Sequence, residues 1–186
     1  MALKRLKIDG YGQVELNNVA FRRDGRIEAQ CAPDVEDFAD KHIENGMILA
    51  IDNVSRTVKL ADGKEELVGL VYSAEHFYEG TKAGLKHFKL NATDDFLPRL
   101  GYLAVGDKFT TNCLCYDEAE FEGGEESVWQ KLANGDAEYV CGIATNIGAI
   151  QVKAEKPSGA SLVLRVIEKT TMPDGQPAVK FQVVAV

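Results

Sequence analysis

Three alternating segments at the C-terminal end leave the chain little choice but antiparallel sheet. Ile147 to Ala154 alternates, Lys156-Pro157-Ser158-Gly159 breaks the pattern, and Ser161 to Glu168 takes it up again. Met172-Pro173-Asp174-Gly175 interrupts once more before Ala178 to Val186 closes the chain as a strand. Pro presets φ and Gly supplies positive φ, so these tetrapeptides are turns with a mechanism. A period of two between turns places alternate side chains on one face, which is the signature of a strand.

The same punctuation runs through the rest of the sequence. Leu3 to Ile8 reads as a first strand or basic arm, and Gln13 to Phe21 as a second strand. Asp24-Gly25 reads as a hairpin turn, with Arg26 to Cys31 as its return. Met47 to Asp52 is a strongly apolar strand, Thr57 to Leu60 alternates, and Ala61-Asp62-Gly63-Lys64 is a turn. Glu66 to Ser73 is a strand in which Gly69 implies a bulge or a close backbone approach. Ala74 to Asn91 is an excursion with strand-like ends, and Asp94 to Pro98 is a loop.

The stretch from Leu97 to Val152 looks like one small barrel lobe. Val105-Gly106-Asp107 turns into a strand whose one face carries Phe109, Thr111, Cys113 and Cys115. The strand Tyr139 to Asn146, with Gly142 inside it, reads as its return. Two short helices are expected. Asp34 caps Val35 to Glu44, with Val35, Phe38, Ala39, His42 and Ile43 as its apolar stripe and Asn45-Gly46 as its stop. Ser127 to Leu132 forms the second, anchored by Trp129 and stopped by Asn134-Gly135.

The expected fold is therefore mainly β, with barrel- or sandwich-like lobes, about ten strands and about two short helices. Three regions are expected within what can be one domain: a basic arm and hairpin over 1–33, a first β-rich lobe over 34–96, and a second lobe over 97–186. A faint echo links Gly46 and Gly69 to Gly106 and Gly142, as a turn and strand followed by a glycine-bearing strand.

Charge narrows the function classes. The net charge of −8 argues against non-specific nucleic-acid binding, which needs basic surface to release counterions from phosphates. No apolar run approaches the ~18 residues of a membrane span. The start has basic residues but no apolar core of a signal peptide, so synthesis and folding in a cytoplasm are expected. The charge is also segregated. Residues 1–26 hold six basic residues, Lys4, Arg5, Lys7, Arg22, Arg23 and Arg26, against three acids. Between Lys108 and Lys131 there is no Lys or Arg but six acids: Asp117, Glu118, Glu120, Glu122, Glu125 and Glu126. Charges that only solubilise are usually interspersed. The basic segment is therefore expected to be a docking arm. The acidic one, with Glu118, Glu120 and Glu122, is expected to face solvent or a basic partner.

Motifs for chemistry are few. There is no GxSxG, P-loop, GxGxxG after a strand, or HExxH. Cys31, Cys113, Cys115 and Cys141 show no CxxC spacing and read as buried, reduced thiols. With His42, His76 and His87 they form no fixed zinc pattern, and neither Cys113 nor Cys115 has a local partner that would orient a His base. Asp94-Asp95 reads as a loop cap, and the acidic run does not match an EF-hand loop. Phe77, Tyr78 and Phe88 near Lys82, Lys86 and Lys89 read as core aromatics under a lysine rim. No catalytic residue, cofactor or metal is expected.

Asn45 to Leu60 with Val68 to Ser73, and Ala104 to Asn112 with Val140 to Thr145, share short strands, glycine-marked turns and a Val-Gly-Asp start. In this pattern the chain resembles β-barrel capsid decoration (cement) proteins of tailed phages. The resemblance implies a non-enzymatic virion protein on the capsid exterior. Its partners would be the major capsid protein, copies of itself, or both, in a homo-oligomer. It implies neither nucleic acid nor membrane as a direct partner. The rival expectations are a tail-tube or head-tail protein, and an unrecognised cytoplasmic enzyme or carbohydrate-binding module.

Overall fold

The computed structural model describes residues 2–61, 67–73, 86–133, 140–143 as backbone, 146–155 and 158–186. The excursion at 74–85, most of the turn at 61–64, the helix stop at 134–135, the Lys156-Pro157 turn residues and the Cys141 side chain lie outside the described residues.

In chain order the strands are β1 (Leu3–Arg5), β2 (Val14–Asn18), β3 (Ile27–Glu28), β4 (Ala32–Pro33), β5 (Ile48–Asp52), β6 (Thr57–Leu60) and β7 (Val68–Val71). They continue as β8 (Leu100–Gly101), β9 (Lys108–Thr111), β10 (Leu114–Asp117), β11 (Val140–Ile143), β12 (Ile150–Lys153), β13 (Val163–Thr171) and β14 (Pro177–Ala185). Among the described residues there is one α-helix, α1 (Gly124–Ala133), which precedes β11. The chain is mainly β, as expected. Two sheets form: an eight-stranded one in the order β1-β10-β12-β11-β13-β14-β9-β2, and a six-stranded one in the order β3-β8-β7-β5-β6-β4. Among the described residues they make sandwich-like layers and no closed barrel, the sandwich-like form of the two expected.

The C-terminal meander forms as its turns require. β13 and β14 pair antiparallel over their whole length around the Met172–Gln176 turn, where the Met172 amide donates to the Gln176 carbonyl at 2.8 Å. The ladder slips between Val166 and Glu168, which leaves Ile167 on the exposed side.

β5 explains why its sequence is apolar without alternation. Ile48 and Ala50 face a core shared with Phe109, Leu114, Ile150, Leu164 and Phe181 of the larger sheet. Leu49 and Ile51 face a second cluster with Phe38, Ile43, Val58, Phe88 and Leu90. A strand covered on both faces reads as a continuous apolar run. Each such side chain, fully buried, contributes roughly 1.5–3 kcal/mol. The phase of the central stretch also differs from expectation. Phe109 and Leu114 share the first core, whereas Cys113 and Cys115 fall in the second. The chain turns at Asn112, where the Leu114 amide donates to the Asn112 carbonyl, and this tight turn separates β9 from β10.

Three further expectations are corrected, and of the two readings of Gly69 the close approach holds. Val35 to Glu44 is not a helix. Asp34 does cap a turn, accepting from the Glu36 and Asp37 amides at 3.0 and 3.2 Å. Only the Phe38 amide then closes a helical bond, to Asp34, and by Ile43 the chain is extended and bridged to Leu90. Asp24-Gly25 is a turn but not a hairpin: β2 pairs with β9 and β3 with β8, in different sheets. The echo does not correspond to a repeat. β5 and β7 are neighbours, whereas β13 and β14 separate β11 from β9. Gly69 causes no bulge, because β5 and β7 pair in regular register. It allows close packing instead, since a Cβ there would lie 2.9 Å from Ile51 and Leu100 side-chain atoms.

Candidate functional site

β1 is where the segregated charges meet. It pairs antiparallel with β10, Leu3 opposite Asp117 and Arg5 opposite Cys115. Alternation sends Lys4 outward and Leu3 and Arg5 inward. The outward Lys4 ammonium pairs with the Glu118 carboxylate. Two residues past the strand, the Lys7 amide donates to Glu125 Oε1 at 3.0 Å. Glu120 pairs with Lys153 on β12, and Glu122 is exposed. The acidic segment is not wholly solvated, for Asp117 and Phe121 are buried. Among the described residues Lys4–Glu118 is the ion pair that joins the two segments directly, and Arg5 and Glu120 find partners elsewhere in the chain.

The other basic residues lie apart from this seam. Arg26 donates to the Tyr102 carbonyl at 2.6 Å and lies 3.6 Å from both Asp24 and Asp107. Arg23 pairs with Asp24 at the exposed turn, and Arg22 is also exposed.

Arg5 enters a polar pocket that local sequence does not announce. Its two terminal nitrogens donate to both oxygens of Glu44, at 3.0 and 3.4 Å. Glu44 Oε2 also accepts the Gly12 amide at 2.6 Å. Burial works against the Arg5 charge, but Glu44 beside it more than restores it, so the guanidinium stays protonated. Gly12 and Gly46 make the approach possible. A Cβ on Gly12 would run into the Asn45 carbonyl, and Gly46, at φ +85°, lies against Thr111 and Cys113.

Beneath this pair are the thiols. Burial pushes Cys113 up to about 12 and raises Cys115 further. Cys31 is also raised, by burial and then by Glu28. All three are free and buried. Among the described residues no group of His, Cys, Asp and Glu is arranged to hold a metal ion. His87 is exposed, and Asp94 caps its own turn by accepting the Asn91 amide at 2.6 Å.

Two depressions mark the surface nearby. A cleft of about 240 Å³ is lined by Arg5, Lys41, His42 and Glu44 with Met47, Leu60 and Ile147. A wider groove of about 570 Å³ runs along α1, lined by Lys7, Glu125, Glu126, Trp129, Gln130 and Lys169. There Lys169 lies 5.3 Å over the Trp129 ring, and the indole N–H donates to Glu125 at 3.3 Å. Sequence reading singled out Arg5 and Lys7 but missed Glu44, Lys41 and Lys169. Their neighbours come from distant parts of the chain, so no local spacing could have found them.

A comparison with known proteins finds no matching family model, no matching curated protein and no matching solved structure.

Proposed function

We propose that the chain is a non-enzymatic structural protein of a tailed-phage virion, a decoration protein that binds the outer capsid surface and stabilises it. Its partners in this reading are the major capsid protein and copies of itself, and its place is the capsid exterior. The observation that carries the reading is the state of the sheet edges. Among the described residues the edge strands are β1 with three residues, β2 with five, and β3 and β4 with two each. β2 is irregular between Glu15 and Asn18, and β4 ends in Pro33. Short, bulged or proline-bearing edges do not template another strand. Such a protein stays dispersed until side-chain contacts seat it on a preformed surface.

A tail-tube subunit has the opposite need, since its rings join through long lateral strands. Here the two longest strands, β13 and β14, lie inside the sheet with neighbours on both sides. The net charge of −8 suits a basic patch on the capsid exterior.

The test mixes the purified protein with expanded capsids of the phage that encodes it, stripped of minor proteins. Saturable co-sedimentation and a higher shell melting temperature are expected. Absence of binding at micromolar protein, with shells intact and the protein folded, overturns the reading.

A further inference from the structure

We propose that the groove along α1 is a binding site for an uncharged saccharide, with Trp129 as its stacking platform. The inference is independent of the capsid reading. Val128 and Leu132 take the core-facing positions of α1, whereas the Trp129 ring is left half-buried in the groove wall. The ring is held in place before any ligand arrives. Its indole N–H donates to Glu125 Oε1 at 3.3 Å, and the same oxygen accepts the Lys7 amide at 3.0 Å. An aromatic plane fixed in this way loses little freedom on binding. The groove, at about 570 Å³, falls in the ordinary range of small-ligand sites, where apolar surface carries a few polar groups.

The charges of the walls select the class of ligand. Lys7 and Lys169 line the groove together with Glu125 and Glu126, so the walls carry no net charge. An anion would meet two carboxylates there and a cation two ammonium groups, whereas an uncharged ligand meets neither penalty. The walls also offer both senses of hydrogen bond: the ammonium groups donate, the carboxylates accept, and the Gln130 amide does both. A hydroxyl likewise donates and accepts. A pyranose carries hydroxyls around its edge and apolar C–H groups on its face, and so suits the polar walls and the indole plane together.

Lys169 does not close the site. Its ammonium lies 5.3 Å from the Trp129 ring centre, on an exposed side chain. Such a contact is weak where water reaches it, and the four-carbon stem is flexible, so the ammonium can swing from the ring to a ligand hydroxyl. Gln130, exposed at the rim, gives one amide hydrogen to Glu126 at 3.3 Å and has a second hydrogen and an oxygen for a ligand. The walls come from three places in the chain: α1, Lys7 just after β1, and Lys169 on β13.

Trp129 is the one tryptophan of the chain, so its emission reports on the groove directly. Maltose, cellobiose and diacetylchitobiose are titrated into the whole chain, with glycerol as the control polyol and glucuronate as the charged analogue. A saturable change in emission at millimolar concentration is expected for at least one disaccharide. Gln130 is exposed, so Gln130→Ala should leave the fold intact and weaken binding about fivefold, the effect of losing one neutral hydrogen bond. Trp129→Ala, followed by calorimetry because the emission is lost, should bring binding below detection with the far-ultraviolet circular dichroism unchanged. No saturation by any of the disaccharides at tens of millimolar overturns the proposal. So does an equal response to glycerol, tighter binding of glucuronate, or binding that neither substitution changes. A capped proline dipeptide that saturates where the sugars do not also overturns it, and identifies a polypeptide as the occupant.

Discussion

The Arg5–Glu44 pair shows how one residue can link charge, packing and reactivity. Arg5 sits on a strand of three residues, opposite Cys115, and reaches Glu44 in the loop before β5. Removing either partner would leave the other as an uncompensated charge in a mostly buried place, which is more damaging than removing both. The thiols below are inert for the same reason that the pair is costly: little water reaches them. An ordinary cysteine ionises near pH 8.5, whereas Cys113 is pushed up to about 12. Raising the pH to 8 or 9 therefore creates almost no thiolate at Cys113. With Ellman's reagent at pH 8, Cys31, Cys113 and Cys115 should stay unreacted in the native protein. All four thiols of the chain should react after denaturation without reductant. More than one thiol reacting natively would contradict the burial.

At the scale of elements, α1 shows what was readable in the sequence. Glu125 and Glu126 in its first turn and Lys131 in its last complement the helix dipole. The expected span, Ser127 to Leu132, falls inside the observed Gly124–Ala133. Its anchor was read less well. Val128 and Leu132 are buried in the core, while Trp129 is half-buried at the rim. Leu132→Ala should therefore cost about 2–5 kcal/mol. Trp129→Ala should cost only roughly 1–2 kcal/mol, since part of the ring is already wet and the Lys169 contact adds little. Urea denaturation measures both, and a Trp129 effect exceeding that of Leu132 would reverse the assignment. β1 carries a different lesson. Its basic residues look like a free arm, yet the strand is hydrogen-bonded to β10 and is followed by Leu6, which is 1% exposed. Deleting it would strip the core as well as the charges, so its electrostatic role is separable only by substitution, for example Lys4→Gln.

For the molecule as a whole, turns and strand character were legible because they are local. Met172-Pro173-Asp174-Gly175 sets its hairpin by itself, and β6 and β14 lie close to where alternation puts them. Sheet membership was not legible. Nothing near Asp24-Gly25 says that the chain there leaves one sheet for the other. Nothing in Val35 to Glu44 says that of its apolar stripe only Phe38 and Ile43 will be buried, in an irregular cover over β5, while Val35 and Ala39 stay exposed. Those outcomes depend on partners elsewhere: Leu90 for Ile43, and the second core for Phe38. The larger core draws on both sheets, with Ile48 and Leu70 from one and Phe109, Leu164 and Phe181 from the other. Neither sheet can open without exposing that shared interior. Thermal unfolding should therefore be a single transition, with near- and far-ultraviolet circular dichroism coinciding. Two separated transitions would show that the layers melt independently.

The blunt edges of both sheets also govern how any assembly would proceed in time. Growth by strand addition is nucleated: it waits through a lag, needs a threshold concentration, and then runs away. Among the described residues the edge strands are two to five residues long and offer no such seed. The protein's occupancy on a surface would rise hyperbolically from the first molecule, each site filling by mass action. The number of seated copies would be set by the supply of sites and not by the history of the pool.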